Sequence, residues 1–413
     1  MTAPTPSPGD LVSLAIEKPA AGGRMIARLS GQVVLVGGAI PGERVTARIE
    51  RVGKGVLYAD TVSPDEPSPD RRPVLADPLC GGCLYAHISY GRQLAIKSDV
   101  IADAFARIGR LVLPRPVTVA PSPEEGYRMR ARLHVRGQRY GFFREGTHDI
   151  CEARATRQLL PASCDTLDRL TAALRSVDAA QHVREIELSE NIEASGRSIC
   201  LEMASAMDAH IVQRLSQTEG LTGFGPDATV TDTLTVDGAS LVLRRNVLAF
   251  FQGNRYLLRD LVEHVVEQVP RDASVADLYA GAGLFAIGAA ACRRARVTAV
   301  EGDRVSAADL TVNAVAHDVE ARHEPVEAFL AAVRRAPEVI VVDPPRTGMS
   351  RDALDGVIRL RAPRVIYVSC DVATLARDSR RLVEAGYALT RADAFDLFPN
   401  TPHVETVVAF DRP

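Results

Sequence analysis

The chain has 413 residues, of which 46% are hydrophobic and 24% are charged, and its formal net charge is −3. This length predicts two or three domains, and the composition excludes a disordered or fibrous protein. No apolar run is long enough to span a bilayer, and the amino terminus lacks the basic start and apolar centre of a secretory signal. Seven cysteines, five of them widely scattered, do not form a disulfide framework. We therefore expect a cytoplasmic protein with no membrane partner.

Short alternating strands separated by glycine-rich turns occupy the beginning of the chain, up to about residue 62. The alternation is clear in residues 10–16 and 32–36. This spacing predicts a five-stranded, partly open barrel of the OB type, which is the shape of small oligonucleotide-binding modules. The proline-rich residues 64–69 are predicted to be a linker. We therefore assign the first domain to residues 1–63.

The middle of the chain, residues 70–247, is predicted to be a mixed α/β domain. Residues 93–111 have helical periodicity, and we expect this helix to pack on the last domain. A later strand carries arginines at alternate positions, which period two places on one face. These arginines are Arg128, Arg130, Arg132 and Arg136. Such a row is costly unless it meets anions, so the face either contacts RNA phosphates or is an ordinary solvated sheet face.

Strands and helices alternate over residues 248–413, which predicts a doubly wound, mostly parallel sheet. A glycine turn containing Gly281 and Gly283 follows the first strand and opens a helix. Glycine lets the backbone approach a ligand closely. Glu301 ends the next strand, where a carboxylate can accept hydrogen bonds from ribose hydroxyls. This pattern fits both a dinucleotide and S-adenosylmethionine.

Two further elements separate these cofactors. Asp343 is followed by Pro344 and Pro345, whose fixed φ and missing N–H groups make a rigid wall. Methyltransferases that act on planar nitrogenous bases commonly carry such an element, whereas nicotinamide enzymes have no evident use for it. Cys370 follows the apolar strand at residues 365–368, at the sheet edge where ligands collect. Taken alone, this cysteine would be a small buried hydrophobe.

Five motifs in order resemble those of the S-adenosylmethionine-dependent RNA uracil-5-methyltransferases, which make 5-methyluridine in tRNA and ribosomal RNA. They are Phe250-Phe251-Gln252-Gly253-Asn254, Asp277 to Phe285, Asp343-Pro344-Pro345-Arg346, Tyr367-Val368-Ser369-Cys370 with Thr374 to Asp378, and Phe398-Pro399 through His403-Val404-Glu405. The first domain also resembles the RNA-binding TRAM domain, through Gly22-Gly23-Arg24 and Pro41-Gly42-Glu43. The resemblance covers nearly the full length and implies a Rossmann-like class I methyltransferase sheet in the last domain.

The resemblance also implies roles for individual residues. Cys370 would attack C6 of a uracil extruded from its stack, and Glu405 would remove the C5 hydrogen, with His403 as the alternative base. A glutamate near its ordinary pKa would need no special tuning. Leu284 stands where the family has Asn or Thr, which removes one polar contact to the cofactor. The residues placed at S-adenosylmethionine are Gln252, Tyr279, Gly281, Gly283, Glu301 and Asp343.

Cys80-Gly81-Gly82-Cys83 resembles part of the iron–sulfur signature of many family members. Those members have two further cysteines, at positions occupied here by Val74 and Thr156. Two thiolates cannot hold a four-cysteine cluster, so we expect no cluster and no bound metal. Cys151 and Cys164 are near in sequence but do not have the matching spacing. The two cysteines of the motif are therefore expected to be remnants, either free or competent for zinc.

Three hypotheses for the function follow. The first is methylation of a uridine in RNA by a monomer. The TRAM-like barrel favours 23S ribosomal RNA over uridine 54 of tRNA, because many tRNA-specific members lack such a domain. The second is a non-catalytic RNA-binding protein with a vestigial methyltransferase domain, against which the intact Cys370, Glu405 and Asp343 argue. The third is a nicotinamide oxidoreductase, which rests on the glycine turn alone.

Overall fold

The computed structural model describes residues 6–74, 77–137, 139–205 and 207–412. These residues form a closed barrel, a six-stranded sheet, a two-stranded hairpin and an eight-stranded sheet. The predicted α/β class, with an N-terminal barrel, a mixed central region and a C-terminal Rossmann-like sheet, is thereby confirmed. Within the described ranges, no helix has both the length and the apolar character that crossing a bilayer requires.

The N-terminal barrel has the strand order β1-β2-β3-β5-β4. It is closed, because β1 pairs with both β2 and β4, so the expectation of a partly open barrel was wrong. Its strands are β1 (Leu11–Pro19), β2 (Met25–Leu29), β3 (Gln32–Gly37), β4 (Arg44–Val52) and β5 (Val56–Glu66). Alternate apolar residues such as Val45, Ala47 and Ile49 are buried inside it. The predicted linker from residue 64 was wrong at its start, because β5 continues to pair with β4 as far as Glu66. Pro64 is accommodated there, at irregularities in the register where its missing N–H group breaks no regular pairing.

Helix α1 (Tyr90–Ala104) connects the barrel to the last sheet, and one turn of π-helix extends it to Gly109. Ile96 completes the barrel core. One turn further on, Ile101 and Phe105 pack into the core of the last sheet together with Leu375. The helix therefore touches both the barrel and the sheet. After it, strand β6 (Val119–Ala120) joins the edge of that sheet.

The central region is a six-stranded sheet with two helices. Its elements are β7 (Arg130–Arg136), β8 (Arg139–Phe143), β9 (Ile150–Glu152), α2 (Pro161–Ser176), β10 (Val183–Glu190), β11 (Arg197–Met203), α3 (Ala209–Ser216) and β12 (Gly223–Phe224). The strand order is β12-β11-β10-β7-β8-β9. Leu167, Leu170 and Leu174 lie on one side of α2 and join the core beneath the sheet. The alternate residues of β7, which include the arginines, point to the other face.

A hairpin leads into the last domain. Strands β13 (Thr229–Val236) and β14 (Ala239–Asn246) are joined by Asp237 and Gly238, which both have positive φ as a tight hairpin turn requires. Leu234 and Leu241 are buried in the same core as the helices that follow. The hairpin thus covers one side of the large sheet.

The large sheet has the order β17-β16-β15-β18-β19-β21-β20-β6. Its elements after the hairpin are α4 (Leu258–Val266), β15 (Ser274–Leu278), α5 (Leu284–Arg293), β16 (Arg296–Glu301), α6 (Arg304–Ala314), β17 (Glu320–His323), α7 (Val326–Ala332), β18 (Val339–Val342), α8 (Arg351–Leu360), β19 (Arg364–Ser369), α9 (Val372–Glu384), β20 (Ala388–Phe395) and β21 (Glu405–Asp411). β18 is buried along its whole length, as a central parallel strand covered on both faces should be. β21 runs antiparallel to β19, so its first residue lies at the edge where the parallel strands end.

Candidate active site

A cavity of about 810 Å³ opens at the carboxyl edge of the large sheet. This volume suits a drug-sized or nucleotide-sized ligand. Nine of the residues predicted from the sequence line it: Arg128, Arg130, Gln252, Tyr279, Gly281, Glu301, Asp343, Cys370 and Glu405. The sheet brings six of them together, because β15, β16, β18 and β19 all end at this edge and β21 begins there. Arg128 and Arg130, just before and at the start of β7, and Gln252, in the segment between β14 and α4, reach the cavity from outside this sheet. Gly283, Arg132 and His403 do not line the cavity.

The glycine turn after β15 has one glycine facing the cavity and one facing the core. Gly281 has φ +57°, and the nearest atom to a side chain built on it would be the Phe250 carbonyl oxygen at 4.0 Å. Gly283 has φ +95° and is the N-cap of α5, where an added Cβ would lie 2.9 Å from Leu310. The assignment of Gly283 to the cofactor is therefore corrected, because this glycine allows close helix packing beneath the turn.

Glu301 ties two loops together at the end of β16. Its Oε2 accepts a hydrogen bond of 2.8 Å from the Gly281 N–H, and its Oε1 accepts one of 2.7 Å from the Asp303 N–H. The side chain is only partly buried and remains at the cavity surface. A carboxylate held in this way keeps free lone pairs for hydroxyl donors.

Asp343 lies at the centre of the cavity wall, next to Pro344 and Pro345. Gln252 Nε2 donates a hydrogen bond of 3.0 Å to Asp343 Oδ2. Burial raises the pKa of Asp343 to about 7; the Gln252 hydrogen bond opposes this and the charge of Glu301 adds to it. Asp277, buried below the turn, has a pKa raised well above its ordinary value by burial and by Asp343.

Cys370 and Glu405 are brought side by side by the register of β19 and β21, in which Ser369 pairs with Thr406. Burial, and next the charge of Glu405, raise the pKa of the Cys370 thiol to about 12. Glu405 itself is 2% exposed, and burial and then Asp343 raise its pKa well above the ordinary value. The expectation of an ordinary glutamate pKa was therefore wrong, because the sequence does not show that the carboxyl group is enclosed.

Arg346 is a site residue that the sequence reasoning quoted in a motif but gave no role. It lines the cavity directly after the two prolines, and its side chain is exposed. Its positive charge lowers the pKa of both Cys370 and Glu405, against the stronger effect of burial. A guanidinium at this point favours the ionised forms of both groups. The only signal in the sequence for a role of Arg346 was its position directly after Pro344 and Pro345.

The helix after the nucleophile strand holds the loop that carries Arg346. Thr374 Oγ1 donates a hydrogen bond of 3.2 Å to the Arg346 carbonyl, and Arg377 donates to the Thr347 carbonyl at 3.2 Å. The Met349 N–H donates to Asp378 Oδ2 at 3.1 Å. The motif from Thr374 to Asp378 therefore fixes the wall loop relative to Cys370 rather than touching the cavity.

His403, the alternative base, lies in the loop before β21 and does not line the cavity. Its ring contacts the edge of Phe398, with a centroid distance of 6.0 Å. Burial, and next the charge of Arg346, lower the pKa of His403 to about 4. The imidazole is neutral at neutral pH, but it does not line the cavity, whereas Glu405 does. This geometry favours Glu405 as the base.

The arginine row has protein partners that the sequence did not reveal. Arg128 donates to Gln158 Oε1 at 2.8 Å, and Arg130 donates to the Ala249 carbonyl at 2.9 Å. Arg132 pairs with Glu187 of β10. Partners within the protein therefore already meet three of these guanidiniums, and RNA contact by Arg128, Arg130 and Arg132 stays a prediction. Arg128 and Arg130 nevertheless line the cavity.

The remnant cysteine motif lies on the central sheet, away from the cavity. Cys80 is bonded to Cys151 in a disulfide, whereas Cys83 is a buried free thiol. The expectation of two free thiols was wrong for Cys80, because β9 brings Cys151 beside it. Thr156 lies near Cys83 around a small cavity, and its hydroxyl donates to the Ala153 carbonyl. In the part of the chain that the structure describes, no three His, Cys, Asp or Glu side chains are grouped as metal ligands.

Comparison with known proteins adds independent information. The tRNA (Uracil-5-)-methyltransferase family matches residues 334–413, and the TRAM domain family matches residues 8–62. The chain is 30% identical to the 23S rRNA (uracil(1939)-C(5))-methyltransferase RlmD of Methylococcus capsulatus, over 98% of each chain. It is 33% identical to the protein of the same name from Pseudomonas putida, over 96% of this chain and 93% of that one.

Among solved structures, the chain is similar to that of the Pyrococcus abyssi tRNA (uracil-54, C5)-methyltransferase in complex with S-adenosyl-L-homocysteine. The TM-score is 0.75 at 23% identity, over 96% of this chain and 99% of that one. This likeness supports the three-part fold. The identity of 30% and 33% to the two relatives, over nearly the whole chain, shows that the chain belongs to the family of S-adenosylmethionine-dependent RNA uracil-5-methyltransferases.

Proposed function

We propose that this enzyme methylates C5 of a specific uridine in 23S ribosomal RNA, through a covalent adduct between Cys370 and C6 of the base. The observation that carries the proposal is the meeting of Cys370 and Glu405 in one cavity with the open glycine turn. A thiol and a carboxyl group side by side suit a reaction that needs a nucleophile and a base on adjacent carbon atoms. The rest of the cavity supplies room for a cofactor and an extruded base.

The residues of the glycine turn fit S-adenosylmethionine. Gly281 leaves the turn open at the cavity, where a side chain would otherwise stand. Glu301 is placed to accept hydrogen bonds from ribose hydroxyls, and Tyr279 offers an aromatic face at the same cavity. When bound, S-adenosylmethionine supplies an electrophilic methyl group. Leu284 contributes only an apolar surface to this part of the cavity, as expected for a position that lacks the family's polar residue.

The nucleophilic role of Cys370 follows from the chemistry of uracil. C5 of the neutral ring is a poor nucleophile, and addition of a thiolate at C6 converts the ring to an enolate that reacts at C5. The pKa of the thiol, raised to about 12 by burial and by Glu405, keeps it protonated at neutral pH. We propose that the proton passes to solvent water as the sulfur attacks, so that the carboxylate of Glu405 stays free for the later step. We assign to Arg346 the role of stabilising the thiolate that forms.

Glu405 acts in the second half of the reaction. After methylation C5 carries both the methyl group and its original hydrogen, so a base must remove that hydrogen before the Cys370–C6 bond can break. The elimination restores the aromatic ring and returns the thiolate. Burial raises the pKa of Glu405, which makes the ionised carboxylate a stronger base. The charge of Arg346 opposes this rise in pKa and so favours the ionised carboxylate.

The domains divide the remaining work. We propose residues 1–63 as an RNA-binding barrel, residues 70–247 as a central RNA-binding domain and residues 248–413 as the catalytic domain. Arg128 and Arg130 stand at the cavity and are proposed to contact the extruded nucleotide, while Arg132 is occupied by Glu187. A ribosomal RNA substrate places the enzyme in the cytoplasm. We propose that it acts as a monomer, since one chain holds all the catalytic groups.

The choice of 23S rRNA is supported by the names of the curated relatives and by the match to the TRAM domain. The alternative is uridine 54 of tRNA. The deciding experiment incubates the purified enzyme and radiolabelled S-adenosylmethionine with unmodified 23S rRNA or tRNA transcripts and maps 5-methyluridine. We expect one methylated uridine in 23S rRNA and none in tRNA. Methylation of tRNA alone would overturn the substrate, and methylation of neither would overturn the proposed activity.

A further inference from the structure

The loop between β20 and β21, residues 396–404, brings two groups to the cavity. Phe398 lines the cavity from within the loop, and Glu405 lies directly after it. The loop has no regular structure, and Asn400 within it has φ +63°. A left-handed residue in an irregular loop needs external contacts to remain in one conformation. Those contacts come largely from outside the catalytic sheet.

Lys97 of helix α1 makes the first contact. Its ammonium group donates to Asp396 Oδ1 at 2.5 Å and to the Phe398 carbonyl at 3.1 Å. The side chains of Lys97 and Asp396 are 1% and 0% exposed. A buried lysine and aspartate are costly to desolvate and are kept only where their geometry is well satisfied. This pair connects the start of the loop to the residue that lines the cavity.

Gln93, one helical turn earlier, makes the second contact. Its Oε1 accepts a hydrogen bond of 3.0 Å from the Asn400 N–H, and its Nε2 donates to Asn400 Oδ1 at 2.9 Å. The same amide nitrogen donates to the Tyr85 and Ile88 carbonyls. Gln93 is fully buried. Because residues four apart lie on the same side of a helix, Gln93 and Lys97 form one surface facing the loop.

Neighbouring segments complete this arrangement around the loop. Tyr127 donates to the Pro399 carbonyl at 3.2 Å, and the Tyr85 N–H donates to the Asn400 carbonyl at 2.8 Å. Gly23, in the β1–β2 turn of the barrel, lies so close to Pro402 that an added Cβ would be 2.9 Å from its ring. The loop therefore has one well-defined position, set by α1 and the segments around it.

We infer that Lys97 and Gln93 are positioning residues for the base, which hold the β20–β21 loop so that Phe398 and Glu405 face Cys370. The inference rests on the proposed function. Neither residue lines the cavity or the glycine turn, so their loss should leave S-adenosylmethionine binding unchanged. The step that should suffer is the removal of the C5 hydrogen, because it depends on the exact position of Glu405.

The first test uses the double variant Lys97→Met with Asp396→Asn, which removes both buried charges and leaves no unpaired ion. Gln93→Ala is the second variant, because it removes hydrogen bonds without leaving a charge. Lys18→Met is the matched control. Lys18, on β1, pairs with Asp103 of helix α1, the helix that also carries Lys97, but the side chains of Lys18 and Asp103 are 42% and 37% exposed. Steady-state methylation of a 23S rRNA transcript, S-adenosylmethionine affinity by calorimetry and covalent adduct on denaturing gels are measured, together with hydrogen exchange of residues 396–404.

We expect both variants to bind S-adenosylmethionine within twofold of the wild type, to exchange faster in the loop and to lose at least tenfold in kcat. The methylated covalent adduct should accumulate, and KM for RNA should change less than kcat. The control should match the wild type in every measurement. An unchanged kcat in either folded variant, or a rise in KM alone, would overturn the inference. Wild-type enzyme that forms neither adduct nor product would instead overturn the proposed function, whatever the variants do.

Discussion

At the scale of single residues, the site brings together acidic groups whose negative charges repel each other. Cys370, Glu405 and Asp343 lie in one cavity, and each acid raises the pKa of another group there. Arg346 partly offsets this accumulation of negative charge. The accumulated charge costs stability, and pKa values perturbed in this way are typical of catalytic sites. Three predictions test these residues one at a time.

Replacing Cys370 should remove the chemistry and leave cofactor binding intact. We expect Cys370→Ala to lower methyl transfer about a thousandfold or more, because no other group in the cavity can add to C6. The affinity for S-adenosylmethionine, measured by calorimetry, should stay within twofold of the wild type. Cys200→Ala is the control, since Cys200 is also a free, partly exposed cysteine but lies on β11 of the central sheet. Substantial turnover by Cys370→Ala would exclude the covalent mechanism.

Replacing Glu405 by glutamine should divide the reaction into its two halves. The charge of Glu405 raises the pKa of Cys370, so its removal should lower that pKa and speed adduct formation at neutral pH. The C5 hydrogen would then remain, and the methylated RNA should stay attached to the protein. We expect Glu405→Gln to give a stable covalent band on a denaturing gel and little free product. Normal methylation without such a band would transfer the role of base to another group, with His403 the first to examine.

We expect the buried carboxyl group of Asp343 to destabilise the folded protein at neutral and alkaline pH. Its folded-state pKa of about 7 lies above the ordinary value of 3.8, so the folded protein retains a proton that the unfolded chain releases. Below the pKa of Asp343 in the unfolded chain, the group is protonated in both states and does not disfavour folding. As the pH rises to about 7, the folded protein becomes progressively less stable relative to the unfolded chain. Asp343→Asn should therefore raise the free energy of unfolding at pH 8 by roughly 2–4 kcal/mol while lowering activity. Denaturant unfolding at pH 5 and pH 8 measures this, and an equal effect at both pH values would contradict it.

At the scale of elements, the sequence predicted what depends on local pattern. The alternation in residues 10–16 and 32–36 predicted the barrel, and the glycines after β15 predicted the turn at the cavity. The partner of Cys80 and the enclosure of Glu405 depend on which strands meet, which one sequence does not specify. For the same reason the Arg132–Glu187 pair across β7 and β10 was missed. Motif identity was therefore more predictable than the electrostatics that the motifs experience.

The loop that carries the remnant cysteine motif should be structural and free of iron. We expect the purified protein to be colourless, with no cluster absorbance near about 400 nm. Replacing Cys80 and Cys83 with serine should leave methylation within twofold, because hydrogen bonds such as that from the Gly81 N–H to the Phe143 carbonyl remain. Without reductant, loss of the link to Cys151 should cost about 2–4 kcal/mol of stability, since it closes a loop with a sequence separation of 71. Stoichiometric iron and sulfide in protein purified anaerobically would contradict this.

At the scale of the whole molecule, the barrel is not an independent attachment. Tyr85, Ile88 and Ile96, which lie outside its strands, complete its core. Deleting residues 1–63 would therefore expose apolar side chains of the remaining chain. A loss of RNA affinity in such a variant could not be distinguished from a loss of stability. Substitutions on the barrel surface give a cleaner test. Strand β4 and the turn after it carry exposed cationic side chains that do not contribute to the core.

Exposed cationic side chains lie on β4, at Arg48 and Arg51, and in the turn after it, at Lys54. Among the residues that the structure describes, none of the three has a carboxylate partner. Arg51 also stacks over the Tyr58 ring, with its guanidinium 3.8 Å from the centroid. Unpaired cations beside an aromatic ring are suited to RNA phosphates and bases. We expect them to supply a large part of the contribution of the barrel to binding.

The triple variant Arg48→Ala, Arg51→Ala and Lys54→Ala should weaken binding to 23S rRNA and reduce the slope of log K against log salt by about two to three, because each lost phosphate contact releases about one counterion fewer. The value of kcat at saturating RNA should not change, because Arg48, Arg51 and Lys54 lie on the barrel and do not line the cavity. Arg28→Ala with Arg44→Ala is the control, because these exposed arginines lie near Glu17 and Glu66, at 3.6 Å and 3.5 Å. Filter binding from low to high salt measures the slopes. If the triple variant keeps the wild-type slope, RNA does not contact this face of the barrel, and the affinity must come from the central domain.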